Sequence, residues 1–116
     1  MDIEIIRDYC NAKPAVTESF PFGEDTLVFK VVDKIFLLIG LENADRFNAK
    51  CDPEKAQQLR EEYEEVQPGY HMNKVHWNTV FINGRLSDQM VLELIDHSYD
   101  LIVKSLPKNK QSQISE

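Results

Sequence analysis

The residues best equipped for chemistry lie between His71 and Asn78, where HMNKVHWN gathers two histidines, two asparagines, a lysine and the chain's only tryptophan. On an extended strand, residues two apart share a face, so Lys74 and His76 would stand side by side. Such a pair can shuttle a proton or grip a phosphate or carboxylate. A metal centre needs three or four converging ligands. His71 and His76 are five apart and fall on opposite faces of a strand that begins at His71, so we expect no metal site. Nucleophilic catalysis needs a serine or cysteine beside an oriented base. His97 and Ser98 adjoin on a predicted helix, where neighbours point in different directions, and there is no GxSxG, P-loop or GxGxxG. We expect a non-enzymatic protein without a cofactor, acid–base work by His76 being the one reaction the spacing allows.

The elements that must position these residues follow from periodicity and punctuation. Residues 2–12 predict a helix with Ile6, Tyr9 and Cys10 on one face and Pro14 closing it. SFPFGEDT is loop. Thr26–Val32 and Ile35–Leu41 are β-rich runs separated by Asp33-Lys34, which predicts a hairpin. Arg46–Cys51 predicts a third strand. Asp52, Pro53 and Glu54 make a helix start, and Ala56, Leu59, Tyr63 and Val66 recur at helical spacing up to Pro68-Gly69. Glu61, Glu62, Glu64 and Glu65 then form the solvated side of that helix. Lys74–Ile82 predicts a strand ending in Asn83-Gly84. Ser87 or Asp88 caps a last helix burying Val91, Leu94, Ile95, Ile102 and Leu106, with Pro107 as its stop. Short connections favour an antiparallel α+β sheet with its helices packed on one face. Residues 1–108 make a single domain, and 109–116 a polar, disordered tail.

Strand parity then sorts the candidate site. Leu27, Phe29 and Val31 would be inward with Lys30 opposite, and Phe47, Ala49 and Cys51 inward with Arg46, Asn48 and Lys50 opposite. In the last strand Val75, Trp77, Thr79 and Phe81 would be inward, leaving Lys74, His76 and Asn78 outward. That pattern makes Trp77 a core residue. It also assembles Lys30, Lys50, Lys74, His76 and Asn78 on one polar sheet face, which is either simply solvated or contacts a ligand.

Charge limits the ligand. The chain carries −7 at neutral pH, which argues against a general nucleic-acid or membrane binder, since phosphate affinity comes mostly from lysine and arginine. Residues 30–60 and 101–116 are nevertheless net positive, at +1 and +2, so any cationic site is local. The longest apolar run, Ile35–Leu41, is too short to span a bilayer, and Asp2 and Glu4 exclude the basic start of a signal peptide. Cys10 and Cys51 have no CxxC partner and read as free thiols of a cytoplasmic protein.

Four segments carry a family resemblance: PFGEDTLVFKV, KCDPEKAQQL, PGYHMNKVHWNTV with its HMNKxHW signature, and SYDLIVKSLP. From Pro21 to about Lys108 the chain resembles the MmcQ/YjbR-like family. The resemblance implies a compact α+β fold similar to CyaY, the bacterial frataxin, and a DNA-binding label that rests on comparison of folds. It departs from the pattern at Asp33, where the hairpin usually has glycine. Lys30, Lys50, Asn73, Lys74, His76 and Trp77 match motif positions without an assigned role. We therefore expect weak DNA binding through Lys30, Lys50, Asn73, Lys74, His76 and Asn78. The alternative is a module for a small anion or an acidic protein partner, with no membrane role.

Overall fold

The computed structural model describes residues 1–114. The chain runs α1 (Ile3–Asn11), β1 (Val16–Ser19), β2 (Thr26–Val31), β3 (Lys34–Gly40), β4 (Arg46–Lys50), α2 (Pro53–Glu62), β5 (Val66–Pro68), β6 (Trp77–Phe81), α3 (Asp88–Ser105) and α4 (Lys108–Gln111). Six antiparallel strands form one sheet in the order β1-β2-β3-β4-β6-β5, so the predicted α+β architecture is what the chain adopts.

One core lies between the sheet and α1, α2 and α3. Ile6 and Cys10 enter from α1, Ala56 and Leu59 from α2, and Val91, Leu94, Ile95, Tyr99 and Ile102 from α3, against Leu27, Phe29, Leu37, Ile39, Phe47, Ala49 and Val80 of the sheet. The helix starts follow the capping chemistry. Asp2 accepts from the Ile5 amide, Asp52 from Lys55 and Ser87 from Met90, each satisfying a donor that the first turn leaves open.

Several expectations are corrected. The β2–β3 turn is Val32-Asp33, one residue earlier than predicted. Val32 has φ 59°, a left-handed conformation costly for a β-branched residue. It is held there by its amide donating to Ala15 O, 3.1 Å away, and by its side chain packing on the core. The helix that starts at Pro53 stops at Glu62. Tyr63 is already extended, and Val66 opens the edge strand β5. Glu65 therefore leaves the acidic helix side and turns inward, its carboxylate accepting from the Arg85 amide at 2.7 Å. Beyond Pro107 the chain coils into α4, Lys110 meets Asp33 at 3.3 Å, and Ile114 packs on the core; residues 115–116 of the expected tail lie outside the described residues.

The largest correction concerns β6. Lys74–His76 are not strand. Asn73 Oδ1 accepts from the amides of Val75 (2.9 Å) and His76 (3.3 Å), and the Trp77 amide donates to Asn73 O, so residues 73–76 form an Asx-type turn. In the strand proper Phe47 opposes Val80, and Ala49 opposes Asn78. Opposite residues share a face, so Val80 and Asn78 point toward the helices. Trp77 and Phe81 then stand beside Lys50 and Arg46 on the other face. Trp77 is half-buried there and is not a core residue.

Candidate functional site

The sheet face turned away from the helices is not simply solvated. Val28 and Leu38 lie on it and are buried. Most of the exposed large apolar residues, Phe20, Phe22, Leu41 and Tyr70, belong to segments around it. Between these segments lies a cleft of about 550 Å3. Its floor is Leu38, Asn48 and Thr79, from adjacent strands β3, β4 and β6. One wall carries Phe22 and Asp25, the other Tyr70, His71 and Met72, and Arg46 and Glu42 stand at the end where β3 leaves the sheet.

The second wall is built onto the floor. Thr79 Oγ1 donates to Asn48 Oδ1 at 2.6 Å and accepts from the Tyr70 amide at 3.0 Å, while Asn48 Nδ2 donates to Tyr70 O at 3.2 Å. Gly69 starts this loop close against β6. A Cβ there would come within 2.8 Å of Trp77 Cβ and 2.9 Å of Trp77 O, which is why the Pro68-Gly69 pair has no room for a side chain. His71 follows at φ 61° with its ring 4.0 Å from that of Tyr70, centroid to centroid. Arg46 is not loose either. It donates to Asp45 from Nε at 2.8 Å and from Nη2 at 3.3 Å, and its guanidinium lies 4.5 Å from the Phe81 ring centre. The same contact holds the Asp45 carboxyl below the usual carboxylate range.

The residues singled out from sequence distribute differently. Lys30 and Lys50 share the open face, Lys30 opposite Ile35 and Lys50 opposite Trp77. Both are half-exposed at the end of the sheet away from Arg46. Lys74 and His76 are exposed on the turn, and the Lys74 ammonium donates to Gly69 O at 3.1 Å. Asn73 is spent on the turn itself. Asn78, expected outward, is buried on the helix side, where its Oδ1 accepts from Arg60 Nε at 2.8 Å. A buried amide without that donor would cost about 1–3 kcal/mol, so Arg60 is what allows an asparagine there. Arg60 also donates to the carbonyls of Lys74 (2.6 Å) and Trp77 (3.1 Å), fastening the turn to α2. The cleft residues that parity passed over are Tyr70, His71 and Thr79. A histidine two residues after Pro68-Gly69, directly following Tyr70 in a loop, was the available signal.

The junction between β4 and α2 is stitched separately. Three consecutive amides diverge: Lys50 N donates to Ser98 Oγ (2.9 Å), Cys51 N to His76 O (2.8 Å) and Asp52 N to His97 Nε2 (3.1 Å). His97 and Ser98 are thus a brace rather than a dyad. Burial first, and Lys55 second, lower the His97 pKa. Burial pushes the thiols of Cys10 and Cys51 up to about 12 and about 11, which leaves neither as a nucleophile at neutral pH.

The YjbR family model matches residues 11–101. The Escherichia coli K12 protein YjbR is 36% identical over 112 residues, covering 96% of this chain and 95% of its own length. A Bacillus subtilis protein, YyaQ, is 33% identical over 75 residues, 65% of this chain and 63% of that one. Among solved structures, a Deinococcus radiodurans protein of domain family DUF419 superposes with a TM-score of 0.88 at 34% identity, covering 97% of this chain and 86% of that one. A Pseudomonas syringae protein gives 0.75 at 28% identity, covering 87% and 98%. None of these names specifies a ligand or a reaction.

Proposed function

Taking as premise that the chain belongs to the YjbR family, we propose that it is a non-enzymatic binding module whose site is the cleft on the open sheet face, and that its ligand is a small molecule with an apolar body. The observation that carries this reading is the hydrogen-bonded anchoring of Tyr70 onto Asn48 and Thr79. It fixes the backbone that carries one aromatic wall before any ligand arrives, and preformed apolar concavities with a few fixed polar groups are the usual form of a small-molecule site. Binding is favoured over reaction because the Thr79 hydroxyl is already committed in both directions, and among the described residues the His71 ring has no orienting hydrogen bond. No three His, Cys, Asp or Glu side chains of the described residues stand close enough to hold a metal ion. No described helix is long and apolar enough to cross a membrane.

Titration of 15N-labelled protein with a panel of small aromatic compounds tests the proposal. Amide shifts should concentrate at Phe22, Tyr70, His71, Met72 and Thr79, and Phe22→Ser should weaken them. Shifts scattered over the helices, or none, would end the cleft reading.

A second reading is favoured by one specific observation. Trp77 stands directly opposite Lys50, not behind it, so the open face pairs an aromatic ring with a lysine. A base can stack on the ring while lysine meets the phosphate. Weak, salt-sensitive binding of single-stranded DNA over Lys30, Lys50 and Trp77 follows from that arrangement. Fluorescence anisotropy at low salt tests it, with Lys50→Glu weakening every sequence about equally. Absence of binding at low salt, where phosphate contacts are strongest, would eliminate this reading.

A further inference from the structure

Resting on the cleft as the binding site, we propose that its occupant is a small organic cation, an amine or quaternary ammonium carried on an apolar body, and not an anion.

The charge around the cleft is one-sided. Asp25 and Glu42 both line it. The β2–β3 ladder brings their segments together, because Thr26 opposes Gly40 and the Leu41 amide donates to Asp25 O at 2.8 Å. Both residues are exposed, and among the described residues neither carboxylate takes part in an ion pair. The single arginine in the lining is compensated. Arg46 has its charge set against Asp45 through two hydrogen bonds and spends one face of its guanidinium on Phe81. Lys30, Lys50 and Lys74 are not among the lining residues. An anion entering here would meet two uncompensated carboxylates, whereas a cation would meet them with opposite sign.

The walls add a second, independent preference. Phe22 and Tyr70 flank the cleft and remain 67% and 70% exposed, so their rings are available to a ligand. Aromatic faces attract ammonium groups through the ring quadrupole and repel carboxylates. Leu38 and Met72 supply contact for the apolar body. The background potential of a chain at −7 acts in the same direction.

Three probes of similar size and different charge test the inference on the intact protein: benzylammonium, benzyl alcohol and benzoate, each titrated at low salt into 15N-labelled chain. The ammonium should bind about tenfold more tightly than the alcohol, as expected for a cation held by aromatic faces and carboxylates, and benzoate should be the weakest. The double variant Asp25→Asn, Glu42→Gln changes only exposed groups and should bring the ammonium down to the affinity of the alcohol. Equal affinity for ammonium and alcohol in the parent protein would overturn the charge preference while leaving the cleft reading intact. Tightest binding by benzoate would overturn it in favour of an anion. If all three fail to shift the cleft amides, the cleft reading itself fails and the inference falls with it.

Discussion

Replacing Ser98 by alanine should be among the most damaging single-atom changes in this protein. Ser98 is fully buried on α3. Its hydroxyl donates to Phe36 O at 2.5 Å and accepts from Lys50 N at 2.9 Å. Those two backbone groups belong to neighbouring strands, and the paired register of β3 and β4 covers only Leu37 with Ala49 and Leu38 with Asn48. The β2–β3 register shifts at this same level, between Phe29 and Lys30, so Phe36 stands outside the regular pairing. The serine hydroxyl bridges the gap that results. Alanine keeps the helix and nearly all of the volume but strands a buried carbonyl and a partly buried amide. At about 1–3 kcal/mol for each group left unpaired, and with Lys50 nearer to water, the expected cost is about 3 kcal/mol. For a chain of this length that lowers Tm by roughly 12–18 °C. The urea midpoint should fall by roughly 1–2 M with an unchanged m-value. Ser105→Ala, on the exposed side of the same helix, is the control and should stay within about 0.5 kcal/mol of the parent. If Ser98→Ala behaves like that control, Phe36 and Lys50 re-pair with each other when the hydroxyl is gone, and the bridging argument is refuted.

Three further outcomes follow from the same geometry. His97 accepts from the Asp52 amide through Nε2, and its pKa is lowered by burial and by Lys55, with Lys104 adding and Asp52 and Asp100 opposing. The neutral ring is therefore the folded form. Its contribution to stability is complete above the unfolded histidine pKa near 6.5 and is lost as pH falls through the lowered folded value, so His97→Gln should flatten the decline in urea midpoint between pH 7 and pH 5. Gly84→Ala sets a Cβ within 2.1 Å of Glu65 Oε2, the acceptor of the Arg85 amide; thermal unfolding should show a loss of about 2–3 kcal/mol, against little for Gly40→Ala, where a Cβ meets nothing within 4 Å. Trp77→Ala, on the open face, should cost clearly less than Phe47→Ala, for which truncation of a fully buried ring implies about 3–5 kcal/mol, and equal losses in denaturant titrations would return Trp77 to the core.

The elements legible in the sequence are those with local causes. Caps at Asp52 and Ser87, the Pro53 start and the apolar periodicity of α3 are decided within a turn or two of chain, and each appears where its residues dictate. The inward sets of β2 and β4 were legible too, since in Leu27, Phe29, Val31 and in Phe47, Ala49 apolar and polar residues alternate without conflict. β1 and β5 were not. VTES and VQP are too short and polar to signal a strand, and each exists because a neighbour offers an edge to pair with.

The candidate site was decided by tertiary structure. In WNTVF the larger apolar set is Trp77, Thr79 and Phe81, and local hydrophobicity turns that set inward. The fold turns it outward, because Val80 must meet Phe47 and Val66 beneath the helices, and because Arg60, eighteen residues earlier, reaches across to satisfy the buried Asn78. A strand's side-chain period is two, so one such long-range pairing moves every side chain to the other face. The sequence by itself determined that Lys30 and Lys50 stand on the open face, because the strands that carry them alternate without conflict. Which loop would stand over it, and that Tyr70 and His71 rather than His76 would line its cleft, depended on hydrogen bonds from Thr79 and Asn48 that no local pattern contains.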